Sequence, residues 1–402
     1  MPRLAFTGLL SLLVVSGETA MAGAGAGISP VCTAPGDQWW PAIHGDTIVW
    51  EDGRGPGDPD IYAWDPVKGE RAICAAAGYQ GRPAIWGNTI VWSDNRNMAT
   101  SGTDIYAWDP VNHEHAICTQ ALWQESPAIY GDSIVWTDYR TFDVSGTDIY
   151  GWDPVRGQHA IYTGPNSQEW PVIYGTTIAW SEETWGYDIG YDIYASFAGG
   201  APVPICTAHG WQLTPAIYES TIVWQDYRND PGDQSNADIY AWDPVNGERA
   251  ICTAPGVQEE PAIWGDTIVW ADARDRDRTG YDIYAWDPEK GERVVCAAPG
   301  DQTVPAICGD TIVWADARNW GDTGLDIYAY FGWGTLGKGD LTGDGQTDDT
   351  DLRLFVQAFR AARAGQDPVD PRCDLDNDGR LTSEDARVFL GYWLADQAAA
   401  TP

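Results

Sequence analysis

Ten residues, PAIWGDTIVW from Pro261 to Trp270, recur in related form seven times along the chain. The copies begin at Pro41, Pro83, Pro127, Pro171, Pro215, Pro261 and Pro305, at steps of 42, 44, 44, 44, 46 and 44 residues. A DIY tripeptide follows each copy, at Asp60, Asp104, Asp148, Asp192, Asp238, Asp282 and Asp326. A period this regular constrains the architecture before composition does. Each unit is too small to bury its own apolar face, so neighbouring units must stack.

Four strand signals recur within a unit. In the second, Arg82 to Trp86 is a short first strand that opens on a Pro, a residue strands accept at their start. Gly87-Asn88 is a turn pair, and Thr89 to Trp92 is a β-branched and aromatic run. Asp104 to Trp108 forms a third strand stopped by Asp109-Pro110, and His113 to Ile117 a fourth that ends at Cys118. Four short strands per repeat match a propeller blade. A solenoid is the competing architecture, but it needs atypical end units, and none is seen. The last unit lacks its fourth strand, and Ile28 to Ala34 aligns with Arg293 to Ala298. The expected fold is an all-β seven-bladed β-propeller whose N-terminal strand closes the last blade, over residues 28–335. The repeat resembles that of TolB-like propellers. That resemblance implies the fold and little about activity.

Residues present in every unit serve the blade. Trp50, Trp92, Trp136, Trp180, Trp224, Trp270 and Trp314 are expected between blades, and they contribute to the total of 23 Trp. Asp-x-Arg pairs, such as Asp52/Arg54 and Asp94/Arg96, recur in six units and read as loop braces rather than a catalytic Asp with its clamp. Cys32, Cys74, Cys118, Cys206, Cys252 and Cys296 occupy one equivalent site. They lie too far apart for disulfides and read as small buried hydrophobes. Seven Gln, from Gln38 to Gln302, sit three residues before each Pro and are expected to hydrogen-bond between blades.

Function is expected where units differ. The loops after TIVW and before PAI share one face, and they carry Trp39, Trp40, Trp123, Trp170, Trp185, Trp211 and Trp320. Aromatic rings with nearby Asp, Asn and Gln suit sugar rings; the alternative is simple capping of blade edges. The fourth unit departs most, with Glu182-Glu183-Thr184-Trp185 in place of Asp-x-Arg. His113 and His115 could share a strand face, but no third metal ligand accompanies them. No G-x-S-x-G, H-E-x-x-H or P-loop occurs.

The formal net charge of −36 excludes nucleic acid and anionic lipid as main partners. Residues 1–22 read as a signal peptide, with Leu4 to Val15 mainly apolar and Ala20-Met21-Ala22 as the cleavage site. No membrane insertion is expected beyond it. The protein is expected outside the cytoplasm, secreted or held at the cell surface.

The C-terminal region carries two twelve-residue loops with calcium-ligand spacing. Asp340, Thr342, Asp344, Gln346 by its carbonyl, Asp348 and Asp351 make the first. Asp374, Asp376, Asp378, Arg380 by its carbonyl, Thr382 and Asp385 make the second. Each loop leads into a helix, with apolar stripes Leu352/Phe355/Val356/Phe359 and Ala386/Phe389/Leu390/Trp393. This duplicated loop–helix resembles a type I dockerin, a small α-helical EF-hand-like module, over residues 338–396. The resemblance implies two calcium ions and a cohesin-type partner. The expectation is a non-catalytic binding or scaffold protein whose propeller presents a face to a polysaccharide or surface protein. The alternative is a dockerin-bearing carbohydrate-active enzyme, a lyase or hydrolase. A singular cluster of His, Arg and carboxylates at one point of the channel mouth would favour the enzyme; near seven-fold uniformity would favour binding.

Overall fold

The computed structural model describes residues 27–55, 57–184, 190–230, 232, 235–333 and 349–363, together with 373, 381, 386, 389 and 390. Seven four-stranded antiparallel sheets follow one another along the chain. Blade 1 runs from inner to outer strand as Gln38–His44, Thr47–Asp52, Asp60–Asp65 and Gly69–Cys74. Blade 7 takes Gln302–Cys308, Thr311–Asp316 and Asp326–Phe331, and its outer strand is Gly27–Cys32. There Ile28 pairs with Tyr330 and Cys32 with Ile327, the same register as Cys74 on Ile61 in blade 1. The inner strand of blade 1 packs on blade 7, and Gln38 N–H donates to Leu325 O at 2.8 Å. The ring is closed, and the solenoid is excluded.

The TIVW strand is buried on both faces because neighbouring blades cover it. Val49, Ile61, Ala63 and Cys74 of blade 1 pack against Ile85, Ile90 and Trp92 of blade 2. All seven TIVW tryptophans are fully buried. Each contributes about 2–3 kcal/mol by area removed from water. Asp94 fixes the Trp92 ring by accepting its Nε1–H at 2.9 Å, and the same carboxylate takes Arg96 Nη2 at 2.6 Å. Arg96 lies 4.1 Å above the Tyr106 ring of the DIY strand. The Asp-x-Arg pair is therefore a blade brace, as its repetition implies.

The repeated cysteines are all free and buried. They are more than small hydrophobes, however. Arg96 of blade 2 donates to Cys74 Sγ of blade 1 at 3.1 Å, and the equivalent bond joins Arg54 to Cys32 and Arg228 to Cys206. Thiol and guanidinium thus link adjacent blades. The junction of blades 3 and 4 has neither partner: Thr184 of blade 4 replaces the Arg and Tyr162 of blade 3 the Cys. The Tyr162 ring stacks on Trp180 at 5.3 Å, and Glu182 replaces Asp as acceptor of the indole N–H at 3.3 Å.

Two expectations are corrected. The first strand of blade 2 starts at Gln80, and Pro83 lies inside it at a bulge where the register shifts between Gly81 and Ala84. The Gln side chains do not cross between blades. Gln38, Gln80 and Gln302 turn back on their own entry loops, donating to the carbonyls of Gly36, Gly78 and Gly300 at 2.6 Å each. Backbone makes the inter-blade bond instead, as in Gln80 N–H to Pro59 O at 2.9 Å.

In the C-terminal region one helix is described, Asp349–Arg363. Phe355 stacks on Phe389, centroids 4.6 Å apart, and both pack with Cys373. These rings hold equivalent places in the two sequence motifs. Leu390, expected in the second stripe, is exposed instead. An EF-hand-like module is not shown: apart from Asp351, whose backbone lies in the first turn of the helix, the expected calcium ligands lie outside the described residues, as does Trp393.

Candidate functional site

The inner strands line a central channel with two different ends. Alternation along the strand puts the residue after PAI on the axis side. This position holds His44, Trp86, Tyr130, Tyr174, Tyr218, Trp264 and Cys308. The rings touch in sequence around the axis: His44 to Trp86 at 4.3 Å, Trp86 to Tyr130 at 4.2 Å, Tyr130 to Tyr174 at 4.6 Å, Tyr174 to Tyr218 at 4.9 Å, and Tyr218 to Trp264 at 5.0 Å. Cys308 completes the circle, accepting Gly45 N–H at 3.2 Å. His44 Nδ1 accepts Gly87 N–H at 3.1 Å, and burial lowers the imidazole pKa. The channel is narrowed by aromatic packing at this end, the end of the tight strand turns.

The other end opens among the long loops. The residue before each Pro has a left-handed backbone there: Trp40, Arg82, Ser126, Trp170, Thr214, Glu260 and Val304 all have φ between 47° and 54°. Each such residue costs on the order of 1–3 kcal/mol, so the surroundings must hold it. The preceding blade catches the displaced N–H in several places. Glu51 accepts Arg82 N–H at 2.7 Å, Thr137 Oγ1 accepts Trp170 N–H at 3.2 Å, and Glu260 accepts Val304 N–H at 2.8 Å.

Side chains at this mouth are unequal. The Arg82 guanidinium lies 4.5 Å above the Trp40 ring, and its charge acts on Glu51, Glu125 and Glu260. Tyr79 donates its hydroxyl to Glu51 at 2.8 Å. Gly81 makes that contact possible, since a Cβ there would overlap the Tyr79 hydroxyl and the Glu51 carboxylate. Trp170 sits 5.6 Å from Tyr191, and Tyr191 hydrogen-bonds Glu169. Burial, with repulsion from Glu183 and Glu125, pushes Glu169 up to about 7. Burial and the neighbouring Glu259 push Glu260 to about 7 as well. Burial also raises Glu51, Glu125 and Glu259. Blade 7 contributes only Thr303, Val304, Ala315 and Ala317 at the corresponding places.

The expected tryptophan face therefore divides. Trp40 and Trp170 stand at the mouth, and Trp39 lies beside Gly53. Trp123 and Trp211 pair edge-on with Tyr139 and Tyr227 and are more exposed. Trp320 is 61% exposed. Trp185 lies outside the described residues. The carboxylates of the mouth were not singled out by sequence, because Asp and Glu are too abundant for one group to stand out. His115 Nδ1 hydrogen-bonds the His113 carbonyl at 2.8 Å, on an outer strand away from the channel.

No protein-family model and no curated protein matches the chain. Many solved structures do. The propeller domain of the Trilobed protease from Pyrococcus furiosus matches with TM-score 0.55 at 11% identity, over 73% of this chain and 96% of that one. A prolyl endopeptidase matches with TM-score 0.54 at 10% identity, over 74% of this chain and 47% of its own length. TolB from Acinetobacter baumannii matches at 12% identity, over 75% of this chain and 79% of that one, with TM-score 0.44. The chain spans about half the length of the whole peptidases it matches. Likeness at this level shows the seven-bladed propeller and leaves the chemistry to the site.

Proposed function

We propose that this is a display protein whose propeller binds a glycan in its loop-face mouth. The observation that carries the reading is the unequal mouth, where Trp40 and Trp170 stand among half-buried carboxylates and tyrosine hydroxyls. Aromatic faces stack on sugar C–H groups, while fixed polar groups set orientation. The described propeller residues end at the opposite face. Phe331 pairs with Gly27 at the turn face, and Trp333 is anchored there by its N–H to Asp310 O at 2.7 Å and by Arg293 4.6 Å above its ring. Docking through the C-terminal motifs would leave the mouth free. In this reading Asp340 to Asp351 and Asp374 to Asp385 hold two calcium ions, a cohesin-type module is the partner, and residues 1–22 direct export. A glycan array followed by calorimetry tests the mouth: Trp40→Ala with Trp170→Ala abolishes binding while the fold persists. Full binding by that variant overturns the reading. A cohesin pull-down with and without chelator tests the tether.

A second reading, a carbohydrate-active enzyme, is favoured by Glu169. A carboxyl pushed to about 7 beside a tyrosine hydroxyl is matched to general-acid work at neutral pH. The cluster is also singular, although its cation is Arg82 and it contains no described His. Product release from a polysaccharide panel, lost in Glu169→Gln with binding retained, would replace the first reading with this one.

A further inference from the structure

We infer that the turn-face groove between blades 5 and 6 is a docking site for an aromatic side chain carried on an extended segment of a partner protein. The inference does not depend on the glycan-binding reading, because the groove lies on the face opposite the mouth. It starts from a cavity of about 500 Å³, a size common to ligand sites. Blade 5 supplies one wall, with Asp243 and Arg249 of its outer hairpin. Blade 6 supplies the other, with Ile263, Asp266, Ile268 and Trp286.

One blade further on, the chain itself shows what such a groove takes. Between blades 6 and 7 the equivalent place is filled by Trp333. Its ring lies 4.6 Å from the Arg293 guanidinium and edge-on to Tyr330 at 5.2 Å. It packs on the cluster that holds Ile307 and Ile312, and its backbone N–H donates to Asp310 O at 2.7 Å. Asp287 pairs with Arg293 and holds it there. Each of these six residues has a counterpart 44 positions earlier, and the counterparts are the wall residues of the open groove. Connectivity explains why one groove is filled and the other open. The third strand of blade 7 ends at Phe331 with no outer strand to follow, since Gly27–Cys32 takes that place, so Trp333 turns back into the groove. In blade 6 the chain runs through Asp287-Pro288 into Gly291–Cys296. Two further junctions are covered by a ring of the chain: Phe197 lies 6.1 Å from Trp242, and Phe331 lies 6.1 Å from Trp64. Each Phe stands where blade 5 has Asp243. Among the described residues no ring stacks on Trp286, the equivalent tryptophan of blade 6.

The wall chemistry selects the occupant. Asp243 accepts Val245 N–H at 2.9 Å and Asn246 N–H at 2.7 Å, and the carboxylate so fixed pairs with Arg249. A guanidinium held in this way is attracted to the face of an aromatic ring. The Trp333 indole N–H is buried without a partner, so the filled groove reads the ring and the backbone N–H and not the indole donor. An extended peptide brings both together. A sugar ring has no π face to offer the guanidinium.

The test titrates the full-length protein with a synthetic peptide that copies residues 330–336, and with the same peptide carrying Trp333→Ala. The tryptophan peptide is expected to bind at least about tenfold tighter than the alanine form. In the protein, Arg249→Ala should weaken the tryptophan peptide by about tenfold. Val245→Trp places a ring at the exposed rim of the groove and should block the peptide; it also serves if Arg249→Ala does not fold, which melting curves decide. Equal affinity for the two peptides, or no binding of either, overturns the inference. Binding that survives both protein substitutions overturns it too, because the ring then sits elsewhere. A dimer of the protein that the peptide dissociates would replace the partner with a second copy of this chain. Binding of a glycan, lost in Arg249→Ala and without any peptide binding, would give the groove to a sugar. None of these outcomes touches the mouth, which Trp40→Ala with Trp170→Ala tests separately.

Discussion

The two ends of one channel are built from the same repeat and have diverged in opposite ways. At the turn end the varied position still holds a ring in six of seven blades, from His44 through Trp264, and each ring touches the next. At the loop end the equivalent positions hold Trp, Arg, Ser, Thr, Glu and Val, and the carboxylates repel one another. Variation that preserves contact serves packing. Variation that creates frustrated charge costs stability and is kept where something else compensates it. The inner-strand backbone repeats at both ends, every residue before Pro being left-handed, so at these positions the difference lies in the side chains.

Paired substitutions can break that contrast. Trp86→Ala opens the aromatic circle and removes its contacts to His44 and Tyr130. It should cost about 2–3 kcal/mol, below the value for a fully buried Trp because Trp86 is half-buried. Glycan affinity should not change. Trp40→Ala should do the reverse, weakening binding by about tenfold or more while costing under about 1 kcal/mol of stability. Urea unfolding and calorimetry on the two variants read both quantities. If Trp86→Ala also abolishes binding, the ends are not independent.

Much of the ring was legible in the chain because its causes are periodic. Blade number, closure by Ile28 to Cys32, the buried TIVW tryptophans and the Asp-x-Arg brace each follow from one period and one pattern of apolar residues. The cysteine link was hidden because a thiol looks like a small hydrophobe until its neighbour is placed. Its signal was present: Tyr162 and Thr184 depart together at the one blade junction without the Cys–Arg pair. The aromatic circle was hidden because residues one whole repeat apart meet only across the axis, although His, Trp and Tyr recur before Gly. At the mouth Trp40 and Trp170 were legible as aromatics. Glu125, Glu169 and Glu260 were not, because burial, joined by neighbouring carboxylates at Glu169 and Glu260, makes them unusual, not residue type.

The ends should also respond oppositely to pH. Glu169 and Glu260 are raised from 4.5 to about 7, so between those values the folded state binds more protons than the unfolded. Their contribution is full below about 4.5 and is lost as pH rises through 7, on the order of 1–2 kcal/mol per group after screening. His44 is lowered from 6.5, so its contribution is full above 6.5 and is lost as pH falls. Melting temperature followed from pH 5 to 8 should therefore lose part of its high-pH decline in Glu169→Gln, with Glu260 supplying the rest, and part of its low-pH decline in His44→Phe. The same profile in both variants would remove the electrostatic half of the comparison.

The smallest expected effect marks the boundary of the mouth. Trp320 is the most exposed of the described loop-face tryptophans, and it belongs to blade 7, whose inner positions are Thr303 and Val304. Trp123 and Trp211 each have a tyrosine edge against them. Trp320→Ala should change stability by less than about 0.5 kcal/mol, as surface substitutions do, and should leave glycan affinity unchanged. Affinity measured beside Trp123→Ala resolves where the ligand runs. Loss in Trp123→Ala alone would carry the site outward over blade 3, toward the Tyr139 rim. Loss in Trp320→Ala would carry it over the blade that lacks every carboxylate of the mouth, and stacking rather than charge would then set the path of the ligand across the face.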